Sequence, residues 1–158
     1  VQLSRLSRSG RSVACSSLLC DAITTAGRYV TMMTYHVVDP ADLEAEPNRP
    51  SKMRYISEAA DMENLGLRVY DVAPGEDVPL SGLHYHDRQE EVFYVAEGEL
   101  AVETPDRVYH VDDGQFFIAE PESPHRAHNP EDADASVRAL AIGAPTVDDA
   151  YAYEAEKD

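Results

Sequence analysis

The sequence predicts an all-β protein, a sandwich or barrel of short antiparallel strands. Between residues 53 and 143, six to eight short β-rich runs follow one another at spacings of about ten residues, separated by turn sequences. No stretch shows the pattern of a long amphipathic helix. The length of 158 residues suits one domain with a modest core.

Charge is distributed unevenly and marks out the domain organisation. Residues 1–32 contain four arginines and one acidic residue, whereas residues 33–158 hold nine of the 13 bases and 29 of the 30 acids. We expect residues 1–32 to be a basic, disordered leader or a translated upstream extension, with the natural protein beginning at Met33. A functional basic arm is an alternative, and a secretory signal is disfavoured because serines and Asp21 interrupt its apolar stretch.

The segment 33–64 predicts an irregular lead-in that contains one short strand. Its first part, DPADLEAEPNRP at 39–50, is rich in proline and acidic residues. The alternating run MRYISE at 53–58 then predicts a strand.

Residues 65–143 predict the barrel domain. LRVYDVA at 67–73 is a strand that Pro74-Gly75 ends, and EEVFYVAEGELAVET at 90–104 is typical of a hairpin hinged at 97–99. Turn sequences at 104–107 and 112–114 separate further strands, predicted at 108–111, 115–119 and 137–143. The acidic tail 144–158 predicts a short helix or a frayed end.

The alternation within the strand that begins at residue 90 assigns its two faces. Glu91, Phe93 and Val95 point to one side, and Val92 and Tyr94 point to the other. A barrel buries one of these two sets in its interior.

Two histidine groups are the strongest functional signal. His84 and His86 lie on one face of a strand, with Cα atoms roughly 6.5 Å apart, so both imidazoles can reach one ion at roughly 2.1 Å. Glu90 and Glu91 follow within five residues, and His125 comes after a later turn. An HxH pair by itself is weak, since two surface histidines on a strand are common, but the added carboxylate and the later Pro-His strengthen a metal-site hypothesis.

The same residues resemble the cupin superfamily. His84-x-His86-x4-Glu91-x6-Gly98 fits the first cupin motif, HxH(x)3–4E(x)6G. The stretch from Gly114 through His125 to Asn129 resembles the second, G(x)5PxG(x)2Hx3N. Val78, Glu120 and Glu122 stand where the family has Gly, Pro and Gly, and these departures affect loop geometry more than the candidate ligands.

The resemblance implies an antiparallel jelly-roll barrel with one divalent metal ion inside. The implied metal ligands are His84, His86, Glu91 and His125. A set of nitrogen and oxygen donors suits Fe, Mn, Ni, Cu or Zn without choosing among them. Four protein ligands leave two positions of a six-coordinate ion for water, substrate or oxygen.

Some assignments within this site stay open at the sequence level. Glu91 is preferred to Glu90 because it shares a face with Phe93 and Val95, and His128 is the alternative to His125. His36 and His110 have no partners in the sequence, and we expect them at the surface.

Tyr85, Phe93, Tyr94 and Phe117 are candidates for an apolar pocket wall, although ordinary core is the expected role for most of them. Arg126 is a candidate for orienting a substrate carboxylate, but a surface ion pair is the expected role.

These residues suggest two functional hypotheses. The first is a metal-dependent enzyme acting on a small organic molecule, and the resemblance implies dioxygenase, isomerase or decarboxylase chemistry. The alternative is a non-catalytic cupin module that binds or senses a small ligand. A third, weaker possibility is a metal that only stabilises the fold.

Charge and composition limit the partners. A net charge of −17 argues against binding nucleic acid, and no apolar run is long enough to span a membrane. We expect a cytoplasmic protein and, by resemblance to small cupins, a homodimer. The excess of acids also resembles proteins of salt-loving cells, where concentrated salt screens such repulsion.

Overall fold

The computed structural model describes residues 34–78 and 82–154, so the prediction for residues 1–32 lies outside the described part of the chain. This described part contains ten strands: β1 (Lys52–Tyr55), β2 (Gly66–Val72), β3 (His84–His86), β4 (Glu90–Glu97), β5 (Glu99–Glu103), β6 (Val108–Asp112), β7 (Phe116–Ala119), β8 (Arg126–His128), β9 (Val137–Ala144) and β10 (Ala150–Ala152). One helical turn, α1 (Ile56–Ala59), and a 3-10 turn (Pro40–Asp42) complete the described elements.

The strands form antiparallel sheets around a shared core. Five of them make one sheet in the order β1-β2-β9-β4-β7, three make a second in the order β6-β5-β8, and β3 pairs with β10. Phe93 and Val95 of β4 pack in one apolar core with Leu100 and Val102 of β5, and all four side chains are almost fully buried. The predicted all-β, antiparallel jelly-roll fold is confirmed.

The inner face of the five-stranded sheet is partly polar. On β4 the predicted alternation is confirmed, because Glu91, Phe93 and Val95 are buried whereas Glu90 is exposed. On β2, Arg68 pairs in register with Ala141 of β9, which pairs in turn with Phe93, so Arg68 lies on the same inner face. The arginine therefore points toward the interior.

The predicted hairpin at 97–99 is wrong. β4 pairs with β7 and β9, whereas β5 pairs with β6 and β8, so the chain passes from one sheet to the other at this point. Gly98 makes the passage with φ of +87°, and a Cβ there would lie 3.0 Å from the Ser136 carbonyl oxygen. Val95 and Val102, on the two strands that flank the crossing, are completely buried in the same core, so the crossing lets both strands bury their apolar side chains.

Two other segments differ from their predictions. The strand predicted over 53–58 ends at Tyr55, where α1 begins. The C-terminal tail, predicted to be a helix or frayed, forms β10 and pairs with β3. Within the described residues, no helix is long and apolar enough to cross a membrane.

Candidate metal centre

The two histidine groups meet although they lie about 40 residues apart. His84 and His86 are buried on β3, and His125 precedes β8. The backbones of His84 and His125 exchange two hydrogen bonds, in which the nitrogen-to-oxygen distances are 3.0 and 2.9 Å. Glu91, near the start of β4, is buried against the three imidazoles. The structure thus brings all four predicted ligands together.

One carboxylate oxygen lies at the centre of the cluster. Glu91 Oε2 is 3.0 Å from His125 Nε2, 3.3 Å from His86 Nε2 and 3.8 Å from His84 Nε2. Ligand atoms of His84, His86 and Glu91 all lie within 4.8 Å of one another. His125 adjoins this group of three through its contact with Glu91.

Each imidazole is held through its Nδ1 atom. His84 Nδ1 lies 3.1 Å from the Gly82 carbonyl oxygen, and His125 Nδ1 lies 2.9 Å from the Ser123 carbonyl oxygen. Because a carbonyl oxygen can only accept, both Nδ1 atoms donate, which leaves the Nε2 atoms facing the cluster. Metal-binding histidines in proteins are commonly oriented in this way by a hydrogen bond from their second nitrogen.

His86 is oriented by a carboxylate instead. Its Nδ1 is 3.1 Å from Asp149 Oδ1, and Asp149 Oδ2 accepts hydrogen bonds from the backbone N–H groups of Arg88 and Gln89. Asp149 lies in the segment between β9 and β10, so the C-terminal segment completes the support of the cluster. This role was not predicted, because nothing in the sequence distinguishes Asp149 from the other acids of the tail.

The donor atoms fit a divalent transition-metal ion. His86 Nε2 is buried and has no hydrogen bond, since its approach to Glu91 at 3.3 Å lacks the required geometry. A buried polar atom without a partner is costly in a protein interior, and coordination to a metal would satisfy it. Imidazole nitrogen and carboxylate oxygen suit the same ions that the sequence suggests, from Mn to Zn.

Electrostatic contacts inside the cluster shift two pKa values. Burial alone would raise the pKa of Glu91, but the imidazoles of His125, His84 and His86 around its carboxylate outweigh burial and hold that pKa well below its usual range. The close contact with the Glu91 carboxylate raises the pKa of His86, with a further contribution from Asp149, although burial opposes the shift. Glu91 is therefore ionised and available as a ligand.

A cavity of about 300 Å³ adjoins the cluster. The walls include Arg68, Tyr70, Gln89 and Phe93, while Arg49 also lines it from the lead-in. Burial raises the pKa of Tyr70 to about 12, so its hydroxyl stays protonated at neutral pH. The cavity thus combines an apolar wall with a hydrogen-bond donor and two cationic side chains.

Sequence reasoning missed Arg68 and Tyr70 as cavity residues. The pattern LRVYDV offers two alternating sets, and burial of the apolar set (Leu67 and Val69) would have been the simpler expectation. The structure places the other set inside. The sequence held no signal for this choice, because the pairing of β2 with β9 decides which set faces inward.

The other histidines do not reach the cluster. His128 lies on β8 with its Nε2 atom 3.7 Å from Glu103, so His125 is the histidine that joins His84 and His86. His110 is exposed and contacts Glu99 at 2.8 Å, and His36 is also exposed. Both thus lie at the surface, as expected.

Most aromatic candidates do not line the cavity. Phe93 does, whereas Phe117 packs against the core with its ring 6.2 Å from that of His125. Tyr85 contacts Tyr151, and Tyr94 contacts Phe116 on the outer face of the large sheet.

Arg126 has the expected ion pairs rather than a place in the cavity. Its guanidinium contacts Asp77 at 2.6 Å and Glu103 at 3.2 Å.

The jelly-roll fold and the buried cluster together define a class of β-proteins whose interior can hold a metal ion. Residues 68–143 match the Cupin_2 family model, a cupin domain, which supports the cupin resemblance. A comparison with curated proteins gave no match.

Solved structures share the fold at low sequence identity. The polyketide cyclase RemF from Streptomyces resistomycificus is 20% identical with a TM-score of 0.64, and the alignment covers 78% of this chain and 89% of that one. A cupin-superfamily sugar phosphate isomerase from Silicibacter pomeroyi is 20% identical with a TM-score of 0.61, covering 70% and 76%. A Thermotoga maritima protein predicted to be an oxalate decarboxylase is 18% identical with a TM-score of 0.59, covering 70% and 99%.

Proposed function

We propose that this protein is a metal-dependent enzyme that acts on a small organic molecule. The observation that carries the proposal is the position of the His84, His86 and Glu91 cluster beside a cavity of about 300 Å³. A cavity of this size suits a small molecule, and convergent polar groups beside it are typical of a binding or catalytic site. In this proposal His125 is the fourth protein ligand.

The residues around the cluster have distinct roles in this proposal. A divalent ion, when bound, supplies Lewis acidity toward a carbonyl or a water molecule. The Tyr70 hydroxyl, protonated at neutral pH, donates a hydrogen bond to a ligand in the cavity. Phe93 gives the ligand an apolar surface and limits the entry of water.

Dioxygenase-like cleavage, isomerisation and decarboxylation are the reaction types that we propose. Structural neighbours described as a sugar phosphate isomerase, a polyketide cyclase and a predicted oxalate decarboxylase support isomerisation and decarboxylation, whereas dioxygenase-like cleavage rests on the sequence resemblance to cupins alone. All three descriptions concern turnover of small organic molecules.

A substrate panel with matched variants tests this proposal. Metal-loaded protein is assayed for oxygen uptake with phenols and keto acids, for isomerisation of sugar phosphates and for decarboxylation of oxalate. We expect turnover of one class, its loss in Glu91→Gln and its retention in Glu90→Gln, because only Glu91 is buried in the cluster. Saturable metal binding with no turnover across the panel would contradict the proposal and favour the ligand-binding module.

We also propose that the protein forms a homodimer through the outer face of the five-stranded sheet. Two cross-strand rows on that face are largely apolar, with Val69, Leu140, Tyr94 and Phe116 in one row and Leu67, Ile142, Val92 and Ile118 in the other. Phe116 and Ile118, on the edge strand β7, are each more than half exposed. None of the eight residues is acidic, so two strongly negative chains can approach through this face with little local repulsion.

A further inference from the structure

Arg68 is an inward-facing cation without an anionic partner. Its Nε atom is buried and has no hydrogen-bond partner, and no described carboxylate lies within ion-pair distance of its guanidinium. The other half-buried arginines of the described residues, Arg54 and Arg126, both form ion pairs with carboxylates. In a chain with 30 acidic residues, a half-buried, cavity-lining guanidinium without a carboxylate is a candidate for binding an anionic ligand.

The sheet holds the Arg68 side chain over a glycine. A Cβ at Gly66 would lie 3.7 Å from Arg68 Nη2 and 3.9 Å from Cζ, which is ordinary van der Waals contact, so the guanidinium lies directly beside this glycine. The ring of Tyr55, the register partner of Arg68 on β1, lies 5.4 Å from Cζ and stabilises the cation through its π face. These contacts fix the direction of the guanidinium without neutralising its charge.

The guanidinium and the metal cluster share one cross-strand row. Gly66 pairs with Gly143, and Gly143 pairs with Glu91, so the row runs from the space under Arg68 to the cluster. Two strand widths separate its ends, which places the Cα atoms of Gly66 and Glu91 roughly 9–10 Å apart across the sheet. Both Arg68 and Glu91 line the same cavity.

The acidic residues that line this cavity do not form ion pairs with the Arg68 guanidinium. Glu91 contacts the imidazoles, and Asp149 contacts His86 and two backbone N–H groups. Asp148, which also lines the cavity, is exposed. Arg49 adds a second cation to the lining, where its Nη2 lies 3.5 Å from the Tyr55 hydroxyl.

We infer that the cavity binds a small organic acid, with a carboxylate on Arg68 and a second oxygen-bearing group directed toward His84, His86 and Glu91. The inference rests on the proposed function and adds the substrate class. A guanidinium recognises a carboxylate through two parallel charge-assisted hydrogen bonds, and Arg68 lines the cavity with a guanidinium that has no ion pair among the described residues. The spacing along the row favours an acid whose two polar ends are separated by a short carbon chain.

Calorimetric titration of the metal-loaded full chain with malonate, succinate and glutarate tests the inference. The matching neutral diamides serve as uncharged analogues, and inorganic phosphate serves as a second anion. We expect at least one dicarboxylate to bind and its diamide to bind much more weakly. Arg68→Gln should weaken that binding by about 10- to 100-fold, the range for loss of a charge-assisted pair, and Arg68→Lys should restore part of it.

Arg107→Gln is the matched control, because Arg107 is exposed and contacts only Tyr109 among the described residues in side-chain interactions. It should bind the acid as the parent does. Equal affinity of Arg68→Gln and the parent chain, equal binding of acid and diamide, tighter binding of phosphate than of every dicarboxylate, or no binding of any dicarboxylate would each overturn the inference.

A parallel metal titration separates this inference from the proposed function. If metal binds but no dicarboxylate does, the substrate class is wrong and the metal site stands. If a dicarboxylate binds through Arg68 while no metal binds, the carboxylate site stands and the proposed metal-dependent function fails.

Discussion

At the scale of single residues, the cluster depends on side chains that hold its imidazoles in place. Asp149 accepts from His86 Nδ1 and from two backbone N–H groups, so it ties the C-terminal segment to the site. Gln89 adds a second tie, since its amide donates to the Pro145 carbonyl oxygen at 2.8 Å. The geometry of His86 therefore depends on residues about 60 positions away in the chain.

Asp149→Ala should lower the affinity for a divalent metal by about 10- to 100-fold, because His86 loses the acceptor that orients its ring. Competition with a chromophoric chelator measures the change. Asp148→Ala is the control, since the neighbouring Asp148 is exposed. If both variants lost metal affinity equally, the negative charge near the site, rather than the orientation of His86, would govern the affinity for the metal.

The shifted pKa values predict a pH profile for metal-free protein. The lowered pKa of Glu91 contributes stability above about pH 4.5, its usual value, and that contribution is lost as pH falls through the folded-state pKa. The raised pKa of His86 contributes stability that is complete below about pH 6.5 and is lost as pH rises through the folded-state pKa. Both contributions are present together between these two values.

In the presence of a chelator, we therefore expect a higher melting temperature at pH 6 than at pH 9. His86→Gln should reduce this difference, whereas His110→Gln should keep it because His110 is exposed. An unchanged difference in His86→Gln would show that other groups cause the pH dependence.

Single residues were predictable where the signal is local. The spacing of His84 and His86 and the strand alternation of Glu91 are short-range patterns, so the sequence indicates them directly. Asp149 and Arg68 could not be found in this way, because their roles come from strand pairing between distant segments.

At the scale of elements, the turn between β7 and β8 contains an unfavourable backbone conformation. Glu122 stands where the cupin motif has glycine, and its φ of +64° lies in the left-handed region. Its backbone N–H donates to the His86 carbonyl oxygen at 2.7 Å, so the turn contacts the strand that holds the cluster.

Glu122→Gly should stabilise the protein by about 0.5–1 kcal/mol, since removing left-handed strain outweighs the extra chain entropy of glycine. Urea unfolding measures the change. Glu122→Ala is the control, because it removes the same negative charge but keeps Cβ. If the Glu122→Gly variant is no more stable than the Glu122→Ala variant, the left-handed conformation of residue 122 does not reduce the free energy of unfolding.

Strand positions were predictable, but their partners were not. Most runs of alternating residues became strands, because alternation is a local property of the chain. The 97–99 segment shows the limit: its glycine predicted a hairpin, whereas the two flanking strands belong to different sheets. The partner of each strand depends on how the apolar side chains of distant segments pack in the shared core. The residues next to a strand in the sequence carry no information about that packing.

At the scale of the whole molecule, the net negative charge determines how we expect stability to respond to salt. With a net charge of −17, we expect the melting temperature to rise between 0.1 and 2 M KCl, since the screening length shortens from about 10 Å to about 3 Å or less. Differential scanning calorimetry across this range measures the effect. A melting temperature that stays constant would contradict the expectation that salt stabilises this acidic chain by screening its charges.

The proposed dimer face gives a second prediction at this scale. The parent chain should have twice the mass of one chain by light scattering, and Ile118→Glu should have the mass of one chain because a buried charge at the interface is unfavourable. Val108→Glu, which changes an exposed residue of the other sheet, should remain dimeric. A monomeric parent chain would refute the dimer.

Elemental analysis of protein prepared without an affinity tag or chelator is the most direct test that the four-residue cluster holds one metal ion. We predict close to one equivalent of a divalent transition metal per chain. His84→Ala and His86→Ala should lose most of it, and His110→Ala should retain it, since His110 lies at the surface. The account would be contradicted if the parent protein held no metal even after incubation with Mn, Fe, Ni, Cu or Zn. It would also be contradicted if the metal persisted when both His84 and His86 are replaced.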